Sequence, residues 1–181
     1  DRPVLSEEPA FNLDVKYAGE TVASKLARIR EEMKEAGTNV HVVSTIDDIC
    51  WTLNIRGNDI DFFPLVLSYG IITMDSFELY IDEKKLDDKL KAKLAKDGVN
   101  LHPYNDIYED VKKFGSDVVA MIDPGKLNYA LFNNIPENVK TIEKRNPAIL
   151  MKAIKNPVEI ENIRKAQIKD SVAHVRFMKW L

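Results

Sequence analysis

The stretch LVLSYGIITMDSFELYI, residues 65–81, consists of two apolar runs with a short polar step between them. The runs 65–74 and 77–81 are rich in β-branched and aromatic side chains, which predicts a strand in each. Asp75 and Ser76 form the connection between them, so the two strands are predicted to pair as an antiparallel hairpin.

Helix and strand patterns alternate on both sides of this hairpin. Upstream, Val22, Leu26, Ile29, Met33 and Ala36 recur at spacings of three and four, which places them on one helix face. Further helices are predicted over 44–53, 87–96, 106–114 and 127–132, and further strands over 40–43, 99–101, 117–122 and 139–142. This alternation predicts the α/β class, with a mixed β-sheet flanked by helices.

The clearest helix start lies at Asn156-Pro157-Val158-Glu159, which combines a capping residue, a proline at the first helical position and a glutamate. Residues 172–181 of this helix leave little polar face. Because a helix that is apolar nearly all round is usually buried, we expect it to continue into a further part of the protein that covers these side chains.

The chain therefore divides into three predicted segments. Residues 1–20 show no sustained period and are interpreted as a linker or extended arm. Residues 21–155 are predicted to form the α/β domain, and 156–181 a helix that leads into another domain.

Composition limits the classes of partner. The 181 residues include 26 Lys and Arg against 29 Asp and Glu, a net charge of -3, so no nucleic acid or anionic membrane is predicted as a partner. No apolar run approaches the ~18 residues of a membrane helix. The single cysteine, Cys50, favours a reducing, cytoplasmic setting.

The sequence offers no complete catalytic motif. A phosphate-binding loop around Gly125-Lys126 would need glycine and a hydroxyl residue where Ala120 and Leu127 stand. The three histidines, His41, His102 and His174, form no His-x-x-x-His pair, so neither a metal site nor a catalytic residue is predicted in this chain.

Two further candidates have simple structural interpretations. Asp47 and Asp48 could be a catalytic acid pair, but adjacent helical residues point about 100° apart, and negative charge suits a helix start capped by Ser44 or Thr45. Cys50 has no histidine nearby in the sequence and is interpreted as a buried structural thiol.

The polar loop from Asn54 to Asp59 is the most informative candidate site. An arginine beside a glycine, here Arg56-Gly57, suits recognition of a carboxylate or a carbonyl, because the guanidinium donors form a planar fork. A solvent-facing arginine in a turn explains the same residues equally well, and both interpretations stay open.

Two separated stretches resemble one enzyme family. WTLNIRGNDIDFFPLVLSYGIITMDSFELYID (51–82) and NPAILMKAIKNPVEIENIRKAQIKDSVAHVRFMKWL (146–181) are similar to segments of the Xaa-Pro aminopeptidase (aminopeptidase P) family, in the expected order and distance. The resemblance covers the chain from about Ser24 onward. Gly70 departs from it, because alanine is expected after Ser-Tyr.

The resemblance implies a three-domain parent enzyme. This chain would be the middle, non-catalytic domain, of creatinase/prolidase N-terminal type with a ribonuclease H-like motif. A following "pita-bread" domain would hold two divalent metal ions, typically manganese, and remove an N-terminal residue that precedes proline. The implied partners are the parent's own first and catalytic domains, peptide substrates and a second copy of the parent in a homodimer.

The resemblance also gives the polar loop a role. Asn54, Arg56 and Asp59 are expected to help frame the substrate channel of the parent, while the fragment alone is expected to be inactive. An alternative from another class is a peptidase-like binding module that has lost catalysis. An independent scaffold domain is a third possibility, which the apolar end of the last helix disfavours.

Overall fold

The computed structural model describes residues 4–181, which build a six-stranded sheet and a two-stranded one, with helices around them. The strands are β1 Phe11–Asn12, β2 Val40–Val43, β3 Ile55–Arg56, β4 Ser68–Thr73, β5 Phe77–Ile81, β6 Val99–His102, β7 Val119–Ile122 and β8 Lys140–Glu143. The α-helices are α1 Val15–Ala18, α2 Val22–Glu35, α3 Ile46–Thr52, α4 Asp88–Lys96, α5 Ile107–Asp110, α6 Tyr129–Asn134, α7 Pro147–Ala153 and α8 Pro157–Trp180.

The larger sheet has the order β6-β5-β4-β2-β7-β8. Strand β4 runs antiparallel to both of its neighbours, β2 and β5, and the other adjacent pairs are parallel. The β4–β5 hairpin pairs Ser68 with Ile81. Both the mixed α/β class and the antiparallel hairpin predicted from the sequence are therefore confirmed.

Both faces of the larger sheet are covered, because its strands bury alternate side chains in two separate cores. Val43, Leu79 and Met121 belong to the core under α2, α3 and α4. Val42 and Tyr80 point the other way and pack with side chains from α5 and α6. Since successive side chains of a strand face opposite sides, a sheet apolar on both sides needs helices on both.

Most element predictions are confirmed, with shifts at the ends. Helix α2 begins after the Thr21 cap and gives way to Gly37, whose φ of 69° suits glycine at a helix end. Strand β4 begins at Ser68 instead of Leu65, because the backbone N–H of Leu67 donates to the Asp59 side chain at 2.7 Å. The helix predicted over 106–114 continues after Asp110 as a 3-10 turn.

The described part of the segment interpreted as an arm packs on the domain. Strand β1 pairs antiparallel with β3, which lies inside the loop predicted at 54–59. The backbone N–H of Leu13 donates to the carbonyl of Asn54 at 2.7 Å, and Ala10 and Ala18 are buried. Two-residue strands are too short to produce a periodic signal, so the sequence pattern missed both.

Helix α7 was also not predicted, although its signal is present. Asn146 caps it and Pro147 occupies its first turn, the same combination that marks the start of α8. Asn146, Pro147 and Ala148 are buried, so this helix start lies against the domain.

Helix α8 has the predicted capping box, in which Asn156 and Glu159 exchange side-chain to backbone hydrogen bonds at 2.9 Å. Asn156 Nδ2 also donates to the carbonyl of Ala18 at 2.8 Å, which holds the start of α8 to α1. None of the α8 residues is buried. Its apolar second half is exposed in the described chain, with Trp180 79% accessible.

No helix of residues 4–181 has the length and apolar content needed to cross a bilayer.

Gly70 lies against the ring of Phe77 on the neighbouring strand. A Cβ atom at position 70 would be 2.6 Å from Phe77 Cζ and 2.8 Å from Cε1. The phenyl ring is completely buried and has little room to move. The packing of this chain therefore favours glycine at this position, which the resemblance alone did not reveal.

Candidate functional site

The polar loop predicted as a site borders a cleft between helix α3 and the first half of helix α8, which we call the α3–α8 cleft. Its volume is about 780 Å³. The charged residues that line it are Lys25, Asp47, Arg56, Lys152, Lys155 and Glu159. Tyr17 and Trp51 contribute aromatic surface, so the cleft combines apolar walls with a few fixed charges, as ligand sites usually do.

Arg56 lies on β3 and is held by its own chain. Its Nη1 atom donates to the backbone carbonyls of Cys50 and Ile55, both at 2.8 Å. Burial lowers the pKa of the guanidinium below its ordinary value. An arginine remains charged at neutral pH even so, and Arg56 therefore supplies a fixed positive charge to the cleft wall.

Lys25 supplies a second positive charge from helix α2. Its ammonium group donates to the carbonyl of Trp51 and to Asn54 Oδ1, both at 2.7 Å, and lies 4.3 Å from the centre of the Trp51 ring. Burial lowers the pKa of this lysine to about 8, although the nearby Glu20 and Glu159 oppose the shift.

Asn54 fixes the position of Lys25. Its φ of 52° is in the left-handed region, which asparagine tolerates better than most residues. Its Nδ2 donates to the carbonyl of Glu20 at 2.9 Å while its Oδ1 accepts from Lys25. The asparagine thus connects helix α2 to the end of helix α3.

Asp59 lies apart from this cleft. Its Oδ2 accepts from Lys85 at 2.6 Å and from the Leu67 backbone at 2.7 Å, and both charged side chains are buried. Its Oδ1 is sealed and has no hydrogen-bond partner among residues 4–181. The structure therefore brings Asn54 and Arg56 together and uses Asp59 to hold the following strand, so a shared role of all three stays a prediction.

The acidic pair at the start of α3 connects two helices. Asp48 is buried and accepts from Thr45 at 2.6 Å, Asn146 at 2.9 Å and Lys152 at 2.7 Å. Asp47 is half-exposed and contacts Lys152; burial would raise its pKa, but the hydrogen bond from Lys152 lowers it overall. These contacts hold α7 against α3.

The hydroxyls predicted to cap α3 do not do so. Thr45 occupies the cap position but donates to Asp48 instead of accepting from the helix backbone, and Ser44 donates to the carbonyl of Lys126 at 2.8 Å. Because the buried Asp48 needs hydrogen bonds, the hydroxyl of Thr45 is worth more there than at the exposed helix end.

A second cleft of about 540 Å³ opens at the carboxyl ends of β2, β7 and β8, the edge where open α/β sheets commonly hold ligands. Its polar groups are largely engaged by the protein. Lys152 binds both aspartates of α3, Lys144 binds Glu32 at 2.9 Å, and Asp123 accepts from the Asn146 backbone at 2.9 Å. This cleft is the weaker candidate site.

Two of the three histidines and the cysteine have structural surroundings, whereas His174 lies exposed on α8. His41 is buried between the carbonyl of Met121 and Asn146 Oδ1, and burial lowers its pKa. His102 pairs with Glu78 at 2.6 Å. The Cys50 thiol is buried as predicted, and burial raises its pKa to about 11. In the described chain, no three His, Cys, Asp or Glu side chains are grouped as a metal site.

The fold and the cleft define a class: an α/β domain in which a mixed sheet carries helices on both faces and a long helix leaves at one end. The sequence model of the creatinase/prolidase N-terminal domain matches residues 1–159. This chain belongs to that family, as the resemblance predicted.

Curated relatives align along almost the whole chain. A probable Xaa-Pro aminopeptidase P of Neurospora crassa is 36% identical over 99% of this chain and 28% of its own length. Xaa-Pro aminopeptidase 1 of Dictyostelium discoideum is 38% identical, again over 99% of this chain and 28% of its own length. The chain therefore spans under a third of the length of these relatives.

Solved structures give the same result. The crystal structure of X-prolyl aminopeptidase from Caenorhabditis elegans, described as a cytosolic enzyme with a di-nuclear active site, superimposes with a TM-score of 0.94 at 34% identity. The match covers 100% of this chain and 30% of that one. The Xaa-Pro dipeptidase of Bacillus anthracis, at 16% identity and a TM-score of 0.62, shares the fold over 89% of this chain and 44% of its own.

Proposed function

We propose that this chain is a non-catalytic domain of a metal-dependent Xaa-Pro aminopeptidase, which removes an N-terminal residue that precedes proline. The observation that carries the proposal is the match along 99% of the chain to enzymes of that name, of which it covers 28%. In this proposal the catalytic domain lies in another part of the same protein and holds two divalent metal ions, with manganese as the expected metal.

The domain contributes structure around the substrate. Residues 1–20 connect it to a preceding domain, 21–155 form the middle domain, and 156–181 lead into the catalytic domain. The exposed apolar half of α8 supports this arrangement, because side chains such as Val175, Phe177 and Trp180 offer a surface for another domain to cover. The α3–α8 cleft, with Asn54 and Arg56, then frames the substrate channel.

Several further properties come with the proposal. The similarity to a cytosolic Caenorhabditis elegans enzyme supports a cytoplasmic location, and the partners are the other domains of the same protein, its peptide substrates and a second copy in a homodimer.

The test compares the 181-residue chain with the longer protein that contains it. The longer protein is expected to cleave Xaa-Pro peptides, to lose activity to a chelator and to regain it with manganese. The 181-residue chain is expected to fold, to show no turnover and to keep its melting temperature when manganese is added.

Two results would count against the proposal. Turnover of an Xaa-Pro peptide by the 181-residue chain would place catalysis inside it. Binding of such peptides by the longer protein without hydrolysis would instead support the binding-module alternative.

A further inference from the structure

The guanidinium of Arg56 is fixed on one side and open on the other. Nη1 uses both of its hydrogens on the carbonyls of Cys50 and Ile55, which orients the plane of the group. Nε and Nη2 have no hydrogen-bond partner among residues 4–181. Neither atom is completely sealed, because among residues 4–181 the only sealed side-chain atom without a hydrogen-bond partner is Asp59 Oδ1.

Arg30 shows the same side chain in a closed arrangement. Its Nε donates to the carbonyl of Thr73 at 2.8 Å and its Nη2 to that of Ser76 at 3.0 Å, so its fork is filled by the backbone. Arg56 presents the same two donors, Nε and Nη2, but no carbonyl accepts from them among residues 4–181. Two parallel donors at this spacing match the two oxygens of a carboxylate.

The charges around the fork favour an anion with a single charge. Within residues 4–181, Arg56 has no carboxylate within 4.0 Å, and the buried Lys25 beside it also lacks one. Glu159 faces both cations, but its carboxylate is engaged by the Asn156 backbone. Lys152 pairs with Asp47 and Asp48. Lys155, whose ammonium donates to the carbonyl of Lys152, supplies a second positive charge on this side of the cleft.

Glu20, the other carboxylate near Lys25, is paired with Arg28 at 2.9 Å. Lys25 and Arg56 against Glu159 therefore leave one positive charge unbalanced in the wall of the cleft. Charged groups with little access to water are normally paired, because the loss of hydration is costly. A bound monoanion would make this part of the cleft neutral, whereas a phosphate dianion would leave it with an excess negative charge.

We propose that the α3–α8 cleft binds the carboxylate of a peptide through Nε and Nη2 of Arg56, with Lys25 contributing charge. The identity of the peptide rests on the proposed function. Its source is either the carboxyl terminus of a short substrate or an acidic side chain from another part of the same protein, and the experiment below separates the two.

The direct measurement is an NMR titration of the arginine Nε–H signals of the 181-residue chain with Ala-Pro-Ala. The Arg56 signal is expected to shift and saturate with the free-carboxylate peptide and with acetate, but not with the C-terminally amidated peptide. Arg30, whose fork is closed, is the internal control and should not shift.

Variants test the fork itself. Arg56→Lys keeps the charge but removes the fork, and is expected to weaken acetate binding about tenfold, as for one lost charge-assisted hydrogen bond. Arg30→Lys should leave acetate binding unchanged. The proposal fails if Arg56 and Arg30 shift together, if inorganic phosphate saturates Arg56 where acetate does not, or if Arg56 shows no saturable shift.

The source of the carboxylate is decided in the longer protein. If the substrate provides it, Arg56→Lys raises KM for the free-carboxylate peptide and leaves KM for its amide unchanged. If another part of the protein provides it, the Arg56 signal is already shifted and acetate no longer moves it. The NMR titration measures binding and needs no turnover. Its result would therefore still hold if the longer protein proved not to be an aminopeptidase.

Discussion

At the scale of single residues, Gly70 and Phe77 depend on each other. Gly70→Ala would place a methyl group 2.6 Å from a buried ring carbon, so the ring or the strand must shift. We expect a loss of about 1–3 kcal/mol in the free energy of unfolding, typical of overpacking. Urea denaturation measures it.

The matched control for this prediction is Gly125→Ala, where the nearest atom to the added Cβ is Asp123 Oδ1 at 3.5 Å and little change is expected. Phe77→Leu in the Gly70→Ala background should be less harmful than Phe77→Leu alone, because the smaller side chain makes room for the methyl group. Additive losses would contradict the steric explanation.

Lys25 makes stability depend on alkaline pH. Burial lowers its pKa to about 8 in the folded chain, against an ordinary value of 10.5, so between these values the unfolded chain binds more protons. The free energy of unfolding should therefore rise with pH across this window, by up to about 3 kcal/mol from this group.

The measurement is the difference in unfolding free energy between the chain and its Lys25→Met variant at pH 7.5 and pH 10.5. Other groups that titrate at alkaline pH contribute equally to both proteins, so their effects cancel in this difference. The exposed Lys34→Met variant serves as the control, with no such trend expected. Parallel pH profiles of the chain and Lys25→Met would show that Lys25 has an ordinary pKa.

At the scale of secondary-structure elements, Asp48 holds helix α3 to helix α7. Asp48→Asn keeps the shape of the side chain but leaves Lys152 without its buried partner. We expect a loss of about 1.5–3 kcal/mol, the usual value for hydrogen bonds to charged groups. Asp47→Asn is the neighbouring control and should cost under about 1 kcal/mol, because that side chain is 53% exposed. Equal losses for both variants would exclude a special role for Asp48.

Elements with strong periodic patterns were predictable, and short ones were not. The apolar stripe of α2 and the capping box of α8 determine those helices locally. Strands β1 and β3 have two residues each and exist because distant segments meet, so no local pattern indicates them. Helix α7 has a recognisable N-terminal signal at Asn146-Pro147, but the helix is too short to add a clear apolar periodicity to that signal.

The candidate site likewise contains one residue that the sequence indicated and one that it did not. Residue type at Arg56 indicated a group that binds carbonyls or carboxylates, and the structure shows it on two carbonyls. Lys25 was missed because a lysine on a helix is normally solvated, although its spacing of three from Val22 and four from Ile29 places it at the edge of the buried face of α2. Its burial depends on Trp51 and Asn54, which belong to the end of the neighbouring helix α3 and the residues after it.

At the scale of the whole molecule, the second half of α8 contributes nothing to the internal packing of residues 4–181. A chain that ends at Gln167 should therefore keep the melting temperature of the 181-residue chain to within about 2 °C, since surface changes away from packed features are worth under about 0.5 kcal/mol. It should also associate less, because a large apolar patch is removed.

Calorimetry measures the melting temperature and sedimentation measures the association, with both lengths compared at equal concentration. The 181-residue chain carrying Val175→Ser and Phe177→Ser is the control, and it should also associate less, because both side chains are exposed and apolar. A large drop in the melting temperature of the shortened chain would show that the apolar half of α8 is held by the domain itself.

The order of strands in the larger sheet also sets an order of assembly. Strands β2, β4, β5 and β6 are neighbours in space and all lie within residues 40–102, whereas β7 joins β2 by pairing Val40 with Ala120. Contacts between residues close in sequence form faster than contacts that must close a long loop. During synthesis, four adjacent strands can pair before β7 leaves the ribosome, and β2 waits as an open edge until β7 arrives.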